Sequence, residues 1–254
     1  MDYTLIGQKI IYLNIVDSTN NYVANLLNEG KIEPGTVVLA ERQEKGRGQR
    51  GNSWQTEAGK NLTASLFLRH NSLNIKHQFK LSMIVSIAIC KYLRQLDIQA
   101  EIKWPNDILV NQKKISGILI ENQLQKENVT SSIIGIGLNV NQQDFNGIFA
   151  TSLLNETGNE TKIQWVCLQF FQLISGEFEE KMNWGMENLY SEYYAYLYGF
   201  QQFVNVTFLE TSESTSIKII GVHECGLLKI ELLNGEKKDI DLKEIRFDFH
   251  HNEL

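Results

Sequence analysis

The chain has 254 residues, with 24 lysines and arginines against 30 aspartates and glutamates and a formal net charge of −6. That length suits one large domain, or a large and a small one, around a real buried core. The acidic balance excludes a general nucleic-acid binder. In chain order, residues 9–16 read as a strand. Asp17-Ser18-Thr19-Asn20 then opens a helix with Tyr22, Val23, Leu26 and Leu27 on one face, and Ser18 or Thr19 is its expected N-cap. Residues 36–40 form a short apolar strand that leads to a glycine-rich loop, and residues 61–68 form another strand. A helix spans 77–96, with Leu81, Ile84, Val85, Ala88, Ile89, Tyr92 and Leu93 at helical spacing. Strands at 102–104 and 108–110 are broken by Pro105-Asn106-Asp107, and 114–121 pairs with 132–140. Residues 163–198 read as two helices divided near Asn183–Gly185, with Trp165, Leu168, Phe171, Ile174 and Phe178 on a buried face. Gly199 is the expected C-cap. Residues 201–249 alternate in short runs, with Asn234-Gly235 as a two-residue hairpin signal. They read as a small all-β module, a five-stranded barrel or curled sheet.

Cys90, Cys167 and Cys225 are widely spaced and form no CxxC pair, which argues against a zinc knuckle or a disulfide framework. The five histidines form no metal-ligand spacing, and His250-His251 reads as a solvated tail. The N-terminus lacks the plan of a signal peptide. No apolar run approaches the roughly 18 residues of a membrane span. A cytoplasmic protein without membrane contact is expected.

Two segments carry chemistry. Gly46-Arg47-Gly48-Gln49-Arg50-Gly51, with Trp54 behind it, can wrap an anion with backbone N–H groups and guanidinium forks. Lys103-Trp104-Pro105-Asn106-Asp107, followed by Lys113-Lys114-Ile115-Ser116-Gly117, clusters a carboxylate, a carboxamide and fixed cations. Such a carboxylate can hold magnesium or orient a ribose, and the lysines can meet a phosphate or a carboxylate. The glycines satisfy G-x-G-x-x-G literally, but the helix and the acid about 20 residues on that a dinucleotide site needs are missing. A plain hairpin remains an alternative for each segment, since Pro-Asn-Asp is also a good turn. Neither turn needs its cations.

Taken together, the segments resemble biotin–protein ligases. The resemblance runs from about Tyr12 to Asn141 and is carried in order by Asp17-Ser18-Thr19-Asn20, Glu41-Arg42-Gln43, Gly46-Arg47-Gly48 with Gly51 and Trp54, Lys103 to Asp107, Lys114 with Gly117, and Gly135-Ile136-Gly137-Leu138-Asn139-Val140. It implies an α+β fold, a mixed sheet flanked by helices related to the class II aminoacyl-tRNA synthetase core. A catalytic part over 1–199 would be followed by an SH3-like β-barrel over 200–254. The first catalytic strand begins near residue 9, so a form without the N-terminal DNA-binding helix-turn-helix is expected.

The resemblance further implies that biotin and ATP form biotinyl-5′-adenylate and that biotin then passes to one lysine of a biotin carboxyl carrier protein. Ser18, Thr19, Asn20 and Gln43 would bind the ureido ring. Arg47 and the amides around Gly48 would hold the carboxylate and phosphate, with Gln49 and Gly117 beside biotin. Lys114 would reach both anions. Trp54 would stack on adenine, Arg50 would meet the nucleotide, Asn106 and Asp107 would lie near the phosphates and Mg2+, and Asn139 would lie close by. Lys114, Arg47 and Asp107 are the expected catalytic groups. Many relatives carry arginine where this chain has Gln49, and Arg246 is a further candidate facing the nucleotide. The loop over 44–54 is expected to be mobile without ligand, its arginine charges unbalanced. Two alternatives fit less well. A lipoate–protein ligase would lack the Lys103–Asp107 run, and a non-catalytic biotin sensor would lack Lys114 or Asp107. No DNA contact is expected, and a homodimer is compatible with the sequence.

Overall fold

The structure, a computed structural model, describes residues 2–249, with the side chain of Arg50 left out; His250 and His251 lie outside the described residues. Strands β1 (Ile10–Val16), β2 (Val37–Gln43), β3 (Asn61–Asn74), β4 (Glu101–Lys103), β5 (Asp107–Val110), β6 (Lys113–Gln125) and β7 (Asn128–Asn139) form one sheet in the order β1-β2-β3-β7-β6-β5-β4. Only the β1–β2 pair is parallel. Helix α1 (Thr19–Asn28) supplies the crossover that a parallel pair requires. Ser18 is its N-cap by position but makes no side-chain cap bond.

The pleat of β3 divides the molecule. Leu62, Ala64, Leu66 and Leu68 point into the main core, against α2 (Phe79–Arg94) and α4 (Ile163–Lys181). Thr63, Ser65 and Phe67 point the other way, and Phe67 packs with Val23 of α1. Helix α2 is buried nearly all round, so its expected stripe is only part of what it hides.

Helix α4 is rotated from its expected setting. Val166, Cys167, Phe170, Phe171, Ile174 and Phe178 are buried, whereas Trp165 and Leu168 are 58% and 54% exposed. Phe171, Ile174 and Phe178 fit either stripe. Phe170 sets the rotation by packing edge-on against Tyr92, with ring centroids 5.5 Å apart. The break before α5 (Met186–Tyr194) is as expected, but the C-cap is Ala195, not Gly199. The helix stops early because its continuation bonds the outer edge of β4, through Ile102 N–H to Tyr196 O at 2.7 Å and Tyr198 N–H to Ile102 O at 2.9 Å. That contact covers an otherwise open sheet edge. The short α3 (Leu153–Thr157), capped by Ser152, has no counterpart in the sequence reading.

Strands β8 (Phe203–Phe208), β9 (Ser214–Val222), β10 (Leu228–Leu232), β11 (Lys237–Ile240) and β12 (Ile245–Phe247) form a five-stranded antiparallel sheet in the order β11-β10-β9-β8-β12. The β10–β11 turn is one residue longer than expected. Leu232 N–H bonds Glu236 O, and Gly235 takes φ +84°, the glycine position of a three-residue hairpin loop. One apolar core runs through both sheets. Trp104 also joins them, its Nε1–H donating to Gly226 O at 2.8 Å. Among the described residues, no helix is long and apolar enough to cross a membrane.

Candidate active site

A cleft of about 500 Å³ opens over the face of the large sheet that carries Thr63, and the residues from Leu242 to Phe247 close one side. At its α1 end lies a chain of polar groups. Gln43 Oε1 accepts from Thr19 N–H at 2.7 Å and Thr19 Oγ1 at 3.0 Å. Ser65 Oγ lies 2.7 Å from Thr19 Oγ1 and 2.6 Å from Asn20 Oδ1. Ser18, Thr19 and Asn20 are buried yet line the cleft. Helix α1 thus presents the hydroxyl and amide side chains of its first turn to the cavity, groups suited to a polar ligand.

The floor is nearly bare main chain. Gly117 of β6 pairs with Gly137 of β7, which in turn pairs with Thr63 of β3; Gly135 pairs with Ser65. A Cβ on Gly137 would overlap the Trp54 indole, and one on Gly135 would fall 2.6 Å from Asn20 Oδ1. The glycines are therefore where a tryptophan and an asparagine must lie flat on the strands. The indole Nε1–H of Trp54 is buried without a partner.

The glycine-rich segment is a small hairpin that folds over this floor. Trp54 N–H bonds Gly46 O at 2.9 Å, Gly48 N–H bonds Asn52 O at 2.7 Å, and residues Gln49–Gly51 make a 3-10 tip. The charge of Arg47, expected to be unbalanced, is met by Glu121 at 2.9 and 2.7 Å. Gly48 and Gln49 line the cleft. The described structure does not include the Arg50 side chain.

At the opposite end, Asp107 Oδ1 is 2.5 Å from Lys114 Nζ and Oδ2 is 3.2 Å from Lys103 Nζ. One carboxylate between two ammonium groups leaves a local surplus of positive charge aimed at the cleft, a setting suited to anions. The Lys114 main chain is held on both sides, by Phe149 O and Thr151 N–H. Asn106 gives its amide to Ile118 O at 2.7 Å, which pins the Pro105 turn to β6. Arg246 lines the cleft and is largely exposed, with Nε 3.5 Å from Asp248.

Two of the expected residues are engaged by neighbours. Asn139 is not brought to the cleft: it is buried, and its amide bonds Thr151 O at 2.9 Å and Lys114 O at 3.4 Å, so it fixes the strand start that carries Lys114. Asp107 lines the cleft. Both its oxygens face lysines, and among the described residues no three His, Cys, Asp or Glu side chains gather as a metal site. Magnesium with few protein ligands is bound chiefly through substrate phosphates. The sequence reading also missed Thr63, Ser65 and Glu121. Their signal was the strand pleat, which puts alternate residues of β3 and β6 on the glycine face.

The fold and the cleft define a class of protein that seats a polar head at one end of a groove and anionic groups at the other. Comparison with known proteins agrees. Residues 12–139 match the family described as Biotin/lipoate A/B protein ligase family. The bifunctional ligase/repressor BirA of Bacillus spizizenii is 32% identical over 94% of this chain and 75% of its own length. A solved biotin protein ligase from Aquifex aeolicus, in complex with biotin and ATP, superposes with a TM-score of 0.76 at 27% identity, covering 95% of this chain and 99% of that one. The biotin protein ligase of Leishmania major shares the fold, with a TM-score of 0.61 at 20% identity over 92% and 99% of the two chains. The chain belongs to the biotin/lipoate A/B protein ligase family.

Proposed function

We propose that this chain is a biotin–protein ligase that uses ATP to activate biotin and passes it to a lysine of a carboxyl-carrier domain. The observation that carries the reading is one cleft with the Thr19–Asn20–Gln43 cradle at one end and Lys114, Lys103 and Asp107 at the other. The cradle suits a ureido ring, which needs both donors and acceptors. The cationic end suits a carboxylate and a triphosphate, which repel each other in water and must be brought together.

In the first step a biotin carboxylate oxygen attacks the α-phosphorus of ATP. The bond from that phosphorus to the β-bridging oxygen breaks, and pyrophosphate leaves. Lys114 moves from Asp107 to the two approaching anions and stabilises the charge of the transition state. Arg47 and the amides around Gly48 hold the carboxylate and phosphate. Asp107 holds Lys114 and Lys103 in reach of the anions. Trp54 forms the apolar wall for the ring systems, with adenine on its open side, and Asn106 shapes the turn beside the phosphates. In the second step the carrier lysine's neutral amine attacks the acyl carbon. The C–O bond to the phosphate breaks, AMP leaves and the amine loses a proton. Bound magnesium would neutralise triphosphate charge as part of the nucleotide.

We assign residues 1–199 to the catalytic part and 200–254 to the β module that closes the cleft. The acceptor is a carrier domain rather than DNA, in keeping with the net charge of −6. Incubation with biotin, MgATP and a purified carrier domain, read by intact mass, tests the reading. One biotinyl addition on the carrier that requires ATP supports it. Transfer of lipoate but not biotin, or no addition, overturns it.

A further inference from the structure

Glu121 has no task in the mechanism above, yet it touches both ends of the first substrate's site. Its carboxylate stands at the cleft rim on β6, in the row that pairs with Ile133 of β7. Arg47 Nη2 donates to both of its oxygens, at 2.9 and 2.7 Å, and Asn20 Nδ2 donates to Oε2 at 2.7 Å. Arg47 comes from the glycine-rich hairpin and Asn20 from the first turn of α1. Glu121 thus bridges the two walls from β6, beside the link that Gln43 of β2 makes to Thr19.

The geometry of each contact matters. Arg47 gives Glu121 a single nitrogen, so Nε and Nη1 keep their N–H groups. Those N–H groups can still donate to an oxygen of a carboxylate or phosphate. Asn20 accepts from Ser65 with Oδ1 and gives Nδ2 to Glu121, so its amide is fixed against flipping. One carboxylate orients both side chains, with Asn20 Nδ2 also 3.5 Å from Leu119 O, and the second lone pair of Asn20 Oδ1 and the remaining N–H groups of Arg47 are left for a ligand. A long, partly exposed arginine on a glycine-rich hairpin has many rotamers to lose, and a charge-assisted anchor removes that cost before the substrate arrives.

We propose that Glu121 is a positioning residue for adenylate formation: its carboxylate sets Arg47 toward the reacting anions and Asn20 toward the polar head of the same substrate. The inference rests on the ligase reading above. Glu121 itself touches no reacting atom and acts through Arg47 and Asn20. The two effects separate by chemistry. The hold on Arg47 depends on the negative charge, whereas the hold on Asn20 needs only an acceptor oxygen.

The test uses the full chain and the variants E121Q, E121A, R47A and R47A/E121A. Biotin affinity is measured by calorimetry without nucleotide, and adenylation by pyrophosphate release at saturating biotin and MgATP. E121Q is expected to bind biotin within about twofold of the parent while its adenylation rate falls about tenfold, the scale of one weakened charged hydrogen bond. E121A is expected to lose a further factor of about ten in biotin affinity, because Asn20 is released as well. In the R47A background, E121A should leave the adenylation rate unchanged and still weaken biotin. Unchanged adenylation in E121Q overturns the proposal. So does a faster E121Q, which would make the carboxylate a restraint, or an equal further loss of rate from E121A in both backgrounds. Side-chain NMR of the arginines gives a readout independent of turnover: slow guanidinium rotation at Arg47 in the parent and fast rotation in E121Q. If the parent makes no adenylate, the ligase reading fails, while this spectrum still decides whether Glu121 anchors Arg47.

Discussion

The two faces of the seven-stranded sheet hold similar charged groups for opposite ends. On the helix side, Lys181 is 1% exposed and lies 3.0 Å from both Glu177 and Glu192, and Lys91 reaches the same two carboxylates at 2.8 Å. Two ammonium groups face the buried Glu177 and the half-buried Glu192, and the exposed Glu180 adds a third carboxylate 3.1 Å from Lys181, so no positive charge is left over. Burial acts to push the Lys181 and Lys91 ammonium groups down, but the hydrogen bonds they donate to Glu177 and Glu192, and Lys181 also to Glu180, outweigh it and hold both above the ordinary lysine range. Burial likewise acts to raise Glu192, and the two lysines hold it below its usual value. On the cleft side, Lys114 and Lys103 share the single carboxylate of Asp107. The charge does not close there, and an arriving anion completes it. A cluster's charge balance, more than its burial, marks which one waits for a ligand.

Variants can break this contrast. Lys181→Ala leaves the buried Glu177 and the half-buried Glu192 with Lys91 alone and is expected to cost roughly 3–5 kcal/mol of stability, with activity per folded molecule unchanged. Chemical denaturation alongside pyrophosphate release measures both; lost catalysis at full stability would reverse the assignment. Lys114→Ala should do the opposite. Adenylation should fall by about 100-fold or more, the scale of removing one transition-state stabilising group, while the melting temperature stays near the parent's. Near-normal pyrophosphate release would exclude Lys114 from the chemistry.

A smaller effect sharpens the helix side. His70 is buried and its Nε2 lies 2.9 Å from Ser132 Oγ, and burial lowers its pKa from 6.5 to about 4. The unfolded chain therefore takes up a proton that the folded one refuses. The contribution is complete above pH 6.5 and fades as pH falls toward 4, by about 3 kcal/mol in total. His70→Asn should flatten that part of the stability–pH curve; an unchanged slope between pH 6.5 and 4 would count against it. The smallest expected effect tests the cleft side. Gly137→Ala pushes the Trp54 indole off the floor and should weaken substrate binding by about tenfold, or roughly 1–2 kcal/mol, with little change in stability. Parental affinity in this variant would show that the indole need not lie on the strands.

Much of this layout was legible in the sequence, because pleat and helix periods are local. The strands of the large sheet, four of the five in the small one, α1, α2 and the break before α5 follow from runs of apolar residues and capping signals, whereas β12 has no run of its own. The rotation of α4 was not legible. Trp165 and Leu168 fit a helical stripe as well as Val166 and Phe170 do, and only the partner surface of Tyr92 chooses between them. The end of α5 depends on the unpaired edge of β4, a contact far away in sequence. In the cleft, the glycines and cations announced themselves as residue types. Ser65 and Glu121 did not, since an ordinary serine and glutamate acquire meaning only when the register sets them beside Thr19, Asn20 and Arg47.

The glycine floor has a consequence for water. Where Gly117 and Gly137 face the cleft there is no side chain, and the flat indole of Trp54 is what keeps solvent off the strands. Any motion that lifts the hairpin wets main chain and indole together, and its return dries both. Hairpin closure on a ligand should therefore carry a negative heat-capacity change larger than the ligand's own apolar area accounts for. The molecule's response to temperature would then report the position of one tryptophan.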